Sequence, residues 1–205
     1  MAISEKKPAY KVTAGAQYIC FAATTAVNGW DGTFEEDVIK LPTVVNIKRS
    51  NSIADQTIYA SGSVYDRNTN INSIGIEEEN VAFPDELIAK MSGDTYQNGI
   101  IVSGGKRKRP FFAYGYAETK SDGSKVFHWF PKCKLTENSD DIATSTENST
   151  EQNDTLNIVA FPYNDSADIE VKMSTADEKN KGITEEKFFA APAKSAADVT
   201  KLATS

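Results

Sequence analysis

One histidine, His128, and two cysteines, Cys20 and Cys133, are the whole stock of imidazole and thiol in this chain. A pair of cysteines cannot build a disulfide framework, and nothing marks the chain for export, so both read as reduced thiols in a cytosolic setting. In that setting the sequons at Asn148-Ser149-Thr150 and Asn164-Asp165-Ser166 carry no meaning. No apolar run approaches the roughly 20 residues that cross a bilayer. The opening MAISEKKPAYKVTAG has no apolar core after its lysines, which excludes a signal peptide. Internal repeats are missing, and so is the strand–helix alternation of a parallel α/β fold.

Basic residues are also missing from a long stretch. Between Leu135 and Glu170 the chain carries nine carboxylates and no Lys or Arg. The opposite bias sits at Lys106-Arg107-Lys108-Arg109. With a net charge of −7, the chain repels phosphate backbones. A surface that must let DNA slide past has the same sign, so charge leaves both readings open.

What is present is β-type patterning. Residues 1–15 read as a flexible lead-in with little to bury. Gln17–Ala22 is a β run, followed by a polar loop from Thr24 to Lys40, and Thr43–Lys48 returns as a strand. Gln56 to Tyr65 alternates, with Ile58, Ala60 and Val64 on one face and Tyr59, Ser61, Ser63 and Tyr65 on the other. Asn68-Thr69-Asn70 reads as a turn. Asn72–Phe83 is strand-like, with Glu77-Glu78-Glu79 shifting its phase and suggesting a bulge or break. In Phe83–Gly93, Pro84 suits the first helical position, Asp85 and Glu86 complement the positive helix end, and Gly93 supplies the stop. Leu87, Ile88 and Met91 share a face, so this short helix must pack on a sheet.

Ile100–Ser103 is a further short strand. Pro110–Thr119 and Lys125–Leu135 form a hairpin around Asp122-Gly123. Thr136–Asp154 is polar and reads as an exposed arm. Thr155–Tyr163 is a strong strand with Leu156, Ile158 and Ala160 inward, and Ile169–Met173 adds a short one. Residues 174–205 are rich in Ala, Lys, Asp and Glu, the composition of an extended or disordered tail, with Phe188-Phe189 as its natural docking anchor. The expected fold is mainly β: an antiparallel sandwich or barrel spanning residues 16–173, one short flanking helix, and long arms.

In DGSKVFHWFPKCKL, residues 122–135, His128 shares a face with Val126 and Phe130, while Phe127 and Trp129 face opposite. Cys133 lies five positions on, which in a regular strand is the opposite face, so a Cys–His nucleophile pair is disfavoured. One histidine and two distant cysteines offer no metal-ligand spacing. Trp30–Asp37 gathers four carboxylates without the alternating register of a calcium loop. Gly99–Gly104 resembles a phosphate-binding loop but has Gly105 where a lysine is needed. Lys106–Arg109 reads first as a solvated loop. Its functional readings are a nucleic-acid contact or ionic docking against the acidic stretch of a neighbouring copy. No catalytic, cofactor-binding or metal-binding residue is assigned.

The order of segments is more informative than any one of them. Gln56–Tyr65, Asn70–Phe83, the helix Pro84–Gly93, Pro110-Phe-Phe-Ala-Tyr-Gly-Tyr116, Lys125–Leu135, the polar arm and Asp154–Phe161 resemble the major tail proteins (tail tube proteins) of long-tailed phages infecting Gram-positive bacteria. The resemblance covers residues 40–165, and the tail after Met173 has no counterpart in it. It implies a non-enzymatic subunit that closes into hexameric rings and stacks into a hollow tube, which houses the tape-measure protein and lets DNA through to the host. The implied partners are other copies of the chain, the tape-measure protein, the tail terminator and distal tail or initiator proteins, with transient passage of DNA and no membrane. The implied location is the virion tail, after synthesis and assembly in the host cytoplasm. Tube-forming folds also resemble contractile inner tubes and type VI secretion tubes, although the aromatic hairpin is closer to the non-contractile family. The competing reading is a ligand- or carbohydrate-binding β-sandwich that presents Tyr114, Tyr116 and Trp129 on one exposed face.

Overall fold

The computed structural model describes residues 7–23, 29–139 and 153–204. Its strands are β1 (Lys11–Phe21), β2 (Ile39–Leu41), β3 (Val44–Ala60), β4 (Ser63–Asn80), β5 (Thr95–Gln97), β6 (Ile100–Val102), β7 (Phe112–Lys120), β8 (Lys125–Ser139), β9 (Asp154–Ala160) and β10 (Val171–Ser174). Three short helices accompany them: α1 (Asp85–Ser92), α2 (Glu185–Phe189) and α3 (Ala196–Thr204). The main sheet is antiparallel and runs β2-β1-β7-β8-β9-β4-β3, with β10 added to β8. This is the mainly β, antiparallel architecture that the alternation predicts, with two helices more than the single one expected.

Strand alternation splits the apolar residues into two cores, because successive side chains leave a strand on opposite faces. Ile19 and Phe21 of β1, Phe112 and Tyr114 of β7, Phe130 and Leu135 of β8, and Leu156 and Ile158 of β9 fill the inside of the rolled sheet, where Leu87 and Met91 of α1 cover them. Tyr18 and Cys20, Ala113 and Ala117, and Phe127 and Trp129 fill the outer face of the same strands, under Ile183, Phe188, Phe189 and Val199. Helix α1 starts one residue later than the sequence suggests, with Pro84 as its N-cap. It stops at Gly93, which takes φ 74° and stands where a Cβ would lie 2.6 Å from the Lys108 carbonyl. Only glycine fits there.

Several expectations are corrected. The alternating stretch Gln56–Tyr65 is a hairpin, turning at Ser61 (φ 52°) and Gly62 (φ 78°) so that Ala60 faces Ser63. Two consecutive positive φ angles are the signature of the tight turn that suits twisted strands. Asn68-Thr69-Asn70 is therefore part of β4, paired with Ala54–Gln56. Glu77-Glu78-Glu79 keeps the phase of Ile74 and Ile76, which places Glu78 and Asn80 in the interior. The irregularity lies across from it, between Val44 and Asn46 of β3.

The lead-in is shorter than expected, since β1 begins at Lys11 and pairs with β7 from there. Residues 174–204 are not an extended tail: β10 pairs with β8, and α2 and α3 pack on the outer core. The anchor expected at Phe188-Phe189 is buried against β1, β7 and β8. Of the polar arm, Thr136–Ser139 continues β8 and Asn153 lies beside β9, while 140–152 falls outside the described residues. So do 1–6, the part 24–28 of the first polar loop, and Ser205.

Candidate functional site

The most unusual feature is a surface rather than a cavity. Strands β3 and β4 have 17 and 18 residues, yet only Ile74–Asn80 of β4 is backed by β9. Beyond that point the ribbon continues as two strands, with Ile53 opposite Ile71 and Tyr59 opposite Val64. Tyr65 is 77% exposed and Tyr59 70%, and Ile53, Val64 and Ile71 are exposed too. A two-stranded ribbon with uncovered apolar side chains is marginal alone. One ion pair, Asp55 with Arg67, steadies it, which is worth little at an exposed position. The second hairpin, β5–β6, likewise exposes Tyr96, Ile100, Ile101 and Val102.

The sheet rolls up but leaves a seam. Among the described residues, strand β3 has β4 on one side only, and β1 is joined to β2 over Gln17–Ile19. The two free edges look at each other across a cleft of about 530 Å³ lined by Lys11–Ala14, Val45–Ile47, Arg49, Tyr116 and Glu118. Inside the roll, Gln17 Nε2 donates to Asn80 Oδ1 at 2.6 Å and ties β1 to β4. Unpaired edges invite another strand.

Behind the cleft lies an ionic group that runs from the exposed Arg49 through the half-buried Glu170 to the buried His128 and Glu118. Arg49 donates to both oxygens of Glu170, at 3.1 and 2.8 Å. His128 Nδ1 donates to the same carboxylate at 2.5 Å, and its ring stacks on Tyr116 with centroids 4.5 Å apart. On its other side His128 Nε2 lies 3.8 Å from Glu118, which Lys11 holds at 2.8 Å. Burial pushes the imidazole below its ordinary pKa, against the pull of Glu170 and Glu118. Burial alone would raise Glu170, but the hydrogen bonds from His128 and Arg49 hold it below the usual carboxylate range. His128 thus sits between two carboxylates that each have a cation, hydrogen-bonded to Glu170 and 3.8 Å from Glu118, and the Arg49–Glu170 pair pins edge strand β3 to the segment before β10.

Deeper in the roll, Glu78 is fully buried and neither carboxyl oxygen finds a hydrogen bond among the described residues. Burial raises its pKa to about 8, more than Tyr114 and Asn80 lower it.

The sequence-level candidates land elsewhere. Tyr114, Tyr116 and Trp129 are 0–4% exposed and divide between the two cores, Trp129 in the outer one. They form no exposed aromatic face, which removes the basis of the carbohydrate-binding reading. The face assignment of Cys133 is corrected: three steps of β8 from Phe130 match two of β7, and this bulge turns Cys133 into the same inner core as Phe130. Its thiol donates to the Phe130 carbonyl at 3.3 Å, while His128 is held by Glu170. Burial drives the Cys133 thiol far up in pKa, the opposite of an activated nucleophile.

Asp31 caps its own loop by accepting from the Thr33 amide, and Glu35 pairs with Lys90. Gly99–Gly104 is the β5–β6 turn and strand, with Gly99 at φ 78°. In the basic cluster, Arg107 pairs with Asp94 and Arg109 donates to the Leu135 and Thr136 carbonyls. Sequence reading missed the projecting hairpin, although Ser61-Gly62 was a legible turn signal.

Such a body, with two apolar hairpins and open edges, is built to meet other chains. Residues 42–198 match the phage tail tube protein family. The chain belongs to that family. The match takes in α2 and reaches into α3, so much of the region after Met173 lies within it as well. Among solved structures, a chain of the anti-feeding prophage (AFP) baseplate is similar at TM-score 0.44 and 6% identity, covering 82% of this chain and 97% of that one. Hcp1 from Flavobacterium johnsoniae follows at TM-score 0.33 and 15% identity, over 72% of this chain and 95% of that one. No curated protein matches by sequence. As a tail tube family member the chain is a structural component of a phage tail, and no helix among its described residues is long and apolar enough to cross a membrane.

Proposed function

We propose that the chain is the repeating tail tube subunit of a long-tailed phage, in the branch infecting Gram-positive bacteria that its segment order resembles. Copies close into hexameric rings and stack into a hollow tube that houses the tape-measure protein and then passes DNA. The tail terminator and the distal tail or initiator proteins bound the tube at its two ends, after assembly in the host cytoplasm. The observation that carries this is the β3–β4 ribbon, whose exposed Ile53, Tyr59, Val64, Tyr65 and Ile71 are left uncovered by the described residues of one subunit. Burying them against neighbours would contribute roughly 1.5 kcal/mol or more per large side chain, and pairing free edges in a ring removes a standing aggregation hazard. The net charge of −7 suits a wall that does not hold phosphate backbones.

The test is sedimentation velocity on the wild type and on Tyr59→Ser/Tyr65→Ser over rising concentration. The wild type is expected to form discrete ring-sized and larger species, and the variant to remain a folded monomer. Equal assembly by both would remove the ribbon from the interface and take away the main support for this reading.

A further inference from the structure

The solvent face of β8, β9 and β4 carries opposite charges at its two ends. Register places Lys134 beside Val159, Glu137 and Glu77 on either side of Asn157, and Ser139 and Glu79 on either side of Thr155, all pointing away from the inner core. The Phe161 amide bonds to the Lys132 carbonyl one row further on. The two ends of this face are therefore about 20 Å apart along the strands.

The basic end is assembled from distant segments. Lys134 Nζ lies 4.0 Å from the centre of the Phe111 ring, and Lys132 Nζ lies 5.3 Å from Phe111 and 5.4 Å from Trp30. Phe161 meets Phe111 edge-on. A hollow of about 240 Å³ opens between Lys108, Arg109, Phe111 and Lys134, and no carboxylate among the described residues lines it. Burial and the neighbouring Lys108 and Lys132 lower the pKa of Lys134, the mark of crowded positive charge. Among the described residues at the acidic end, Glu77 pairs with Lys48, and Glu79 accepts from the Asn153 side-chain amide at 2.8 Å.

We propose that this face is a head-to-tail contact between two copies of the chain, with the acidic end of one subunit seated on the Lys132–Lys134–Phe111 patch of the next. A contact joining unlike ends closes into a ring or repeats as an open stack, depending on the rotation between copies; because ring closure is assigned to the free edges of β1 and β3, this separate face is left for ring-on-ring stacking. Aromatic rings beside the lysines favour a desolvated ionic contact over a freely hydrated one. The proposal rests on the tail tube reading and adds to it the surface and polarity of stacking.

The experiment compares the wild type, Lys132→Glu/Lys134→Glu, Glu79→Lys/Glu137→Lys and the fourfold variant by electron microscopy and sedimentation, at low and high salt. Circular dichroism melts verify folding, and a fluorescent DNA duplex serves as a probe in parallel. Each pair alone is expected to raise the concentration needed for tubes by about tenfold or more at low salt while rings persist. The fourfold variant, with polarity reversed at both ends, is expected to recover. Tubes at the wild-type concentration from either pair, or no recovery in the fourfold variant, overturn the proposal and leave the tail tube reading intact. Loss of duplex binding by the lysine pair with unchanged tubes also overturns it, assigning the patch to polyanions. A wild type without any oligomer at either salt counts against both.

Discussion

The indole Nε1 of Trp129 donates to the backbone carbonyl of Phe188 at 3.2 Å, across 59 residues of chain. Next to it, Phe189 stacks on Tyr18 with ring centroids 3.8 Å apart and planes within 3°. These two relationships convert a polar C-terminal segment into the lid of the outer core. Phe189→Ala is therefore expected to cost about 3–5 kcal/mol, read as a lower urea midpoint. A loss under about 1 kcal/mol would mean that the lid opens freely.

Gly115 lies under that lid. A Cβ there would stand 2.8 Å from Phe189 Cε1 and from Trp129 Cε3, and 2.9 Å from the His128 carbonyl oxygen. The carbonyl belongs to a paired strand and cannot yield. Gly115→Ala is expected to destabilise by roughly 1–3 kcal/mol despite the usual strand penalty for glycine. Thermal unfolding checks this, and a neutral or stabilising effect would contradict the packing.

Glu78 makes stability depend on pH in an unusual direction. Its folded pKa, about 8, lies above the ordinary 4.5 because of burial, so between those values the folded state retains a proton that the unfolded chain releases. Stability contributed by this group is greatest below about pH 4.5, falls as pH rises to about 8, and is level beyond. The fall is on the order of a few kcal/mol. Glu78→Gln is expected to abolish it and to be more stable than the wild type at pH 8. Parallel stability curves for the two proteins from pH 5 to 9 would contradict the assignment.

Glu170 acts in the opposite sense. Its folded pKa is lowered by His128 and Arg49, so its contribution is present above the unfolded value and is lost as pH falls through the folded one. Glu170→Gln is expected to cost roughly 1.5–3 kcal/mol at neutral pH, with the difference from wild type shrinking in acid. Because Arg49 belongs to edge strand β3, hydrogen exchange in β3 is expected to rise in the same variant. A pH-independent loss would point to packing instead of charge.

Much of the fold could be read from local pattern because local physics sets it. Alternation found β7, β8 and β9 and sorted Phe127 and Trp129 from His128 and Phe130. Pro84, Asp85, Glu86 and Gly93 framed α1. Where reading failed, the deciding partner was remote. Glu78 looked like a phase break because a buried carboxylate is costly, and only the rolled sheet explains why it stays in register. Cys133 changed faces through a bulge set by pairing with β7. Phe188 and Phe189 were visible as an anchor, but the surface receiving them comes from β1, β7 and β8. The proposed assembly surface was legible only as composition: Tyr59, Val64 and Tyr65 read as strand faces, and only the Ser61-Gly62 turn puts them on a ribbon that no other described strand backs. The Lys132–Phe111–Trp30 patch joins three segments that no linear motif connects.

End-on electron microscopy of the purified, concentrated chain tests assembly most directly. A tail tube subunit is expected to give sixfold rings with an open centre, which lengthen into hollow tubes as concentration rises. Compact monomers at every concentration and salt would contradict self-assembly by this chain and leave its exposed hairpins without the neighbours proposed for them.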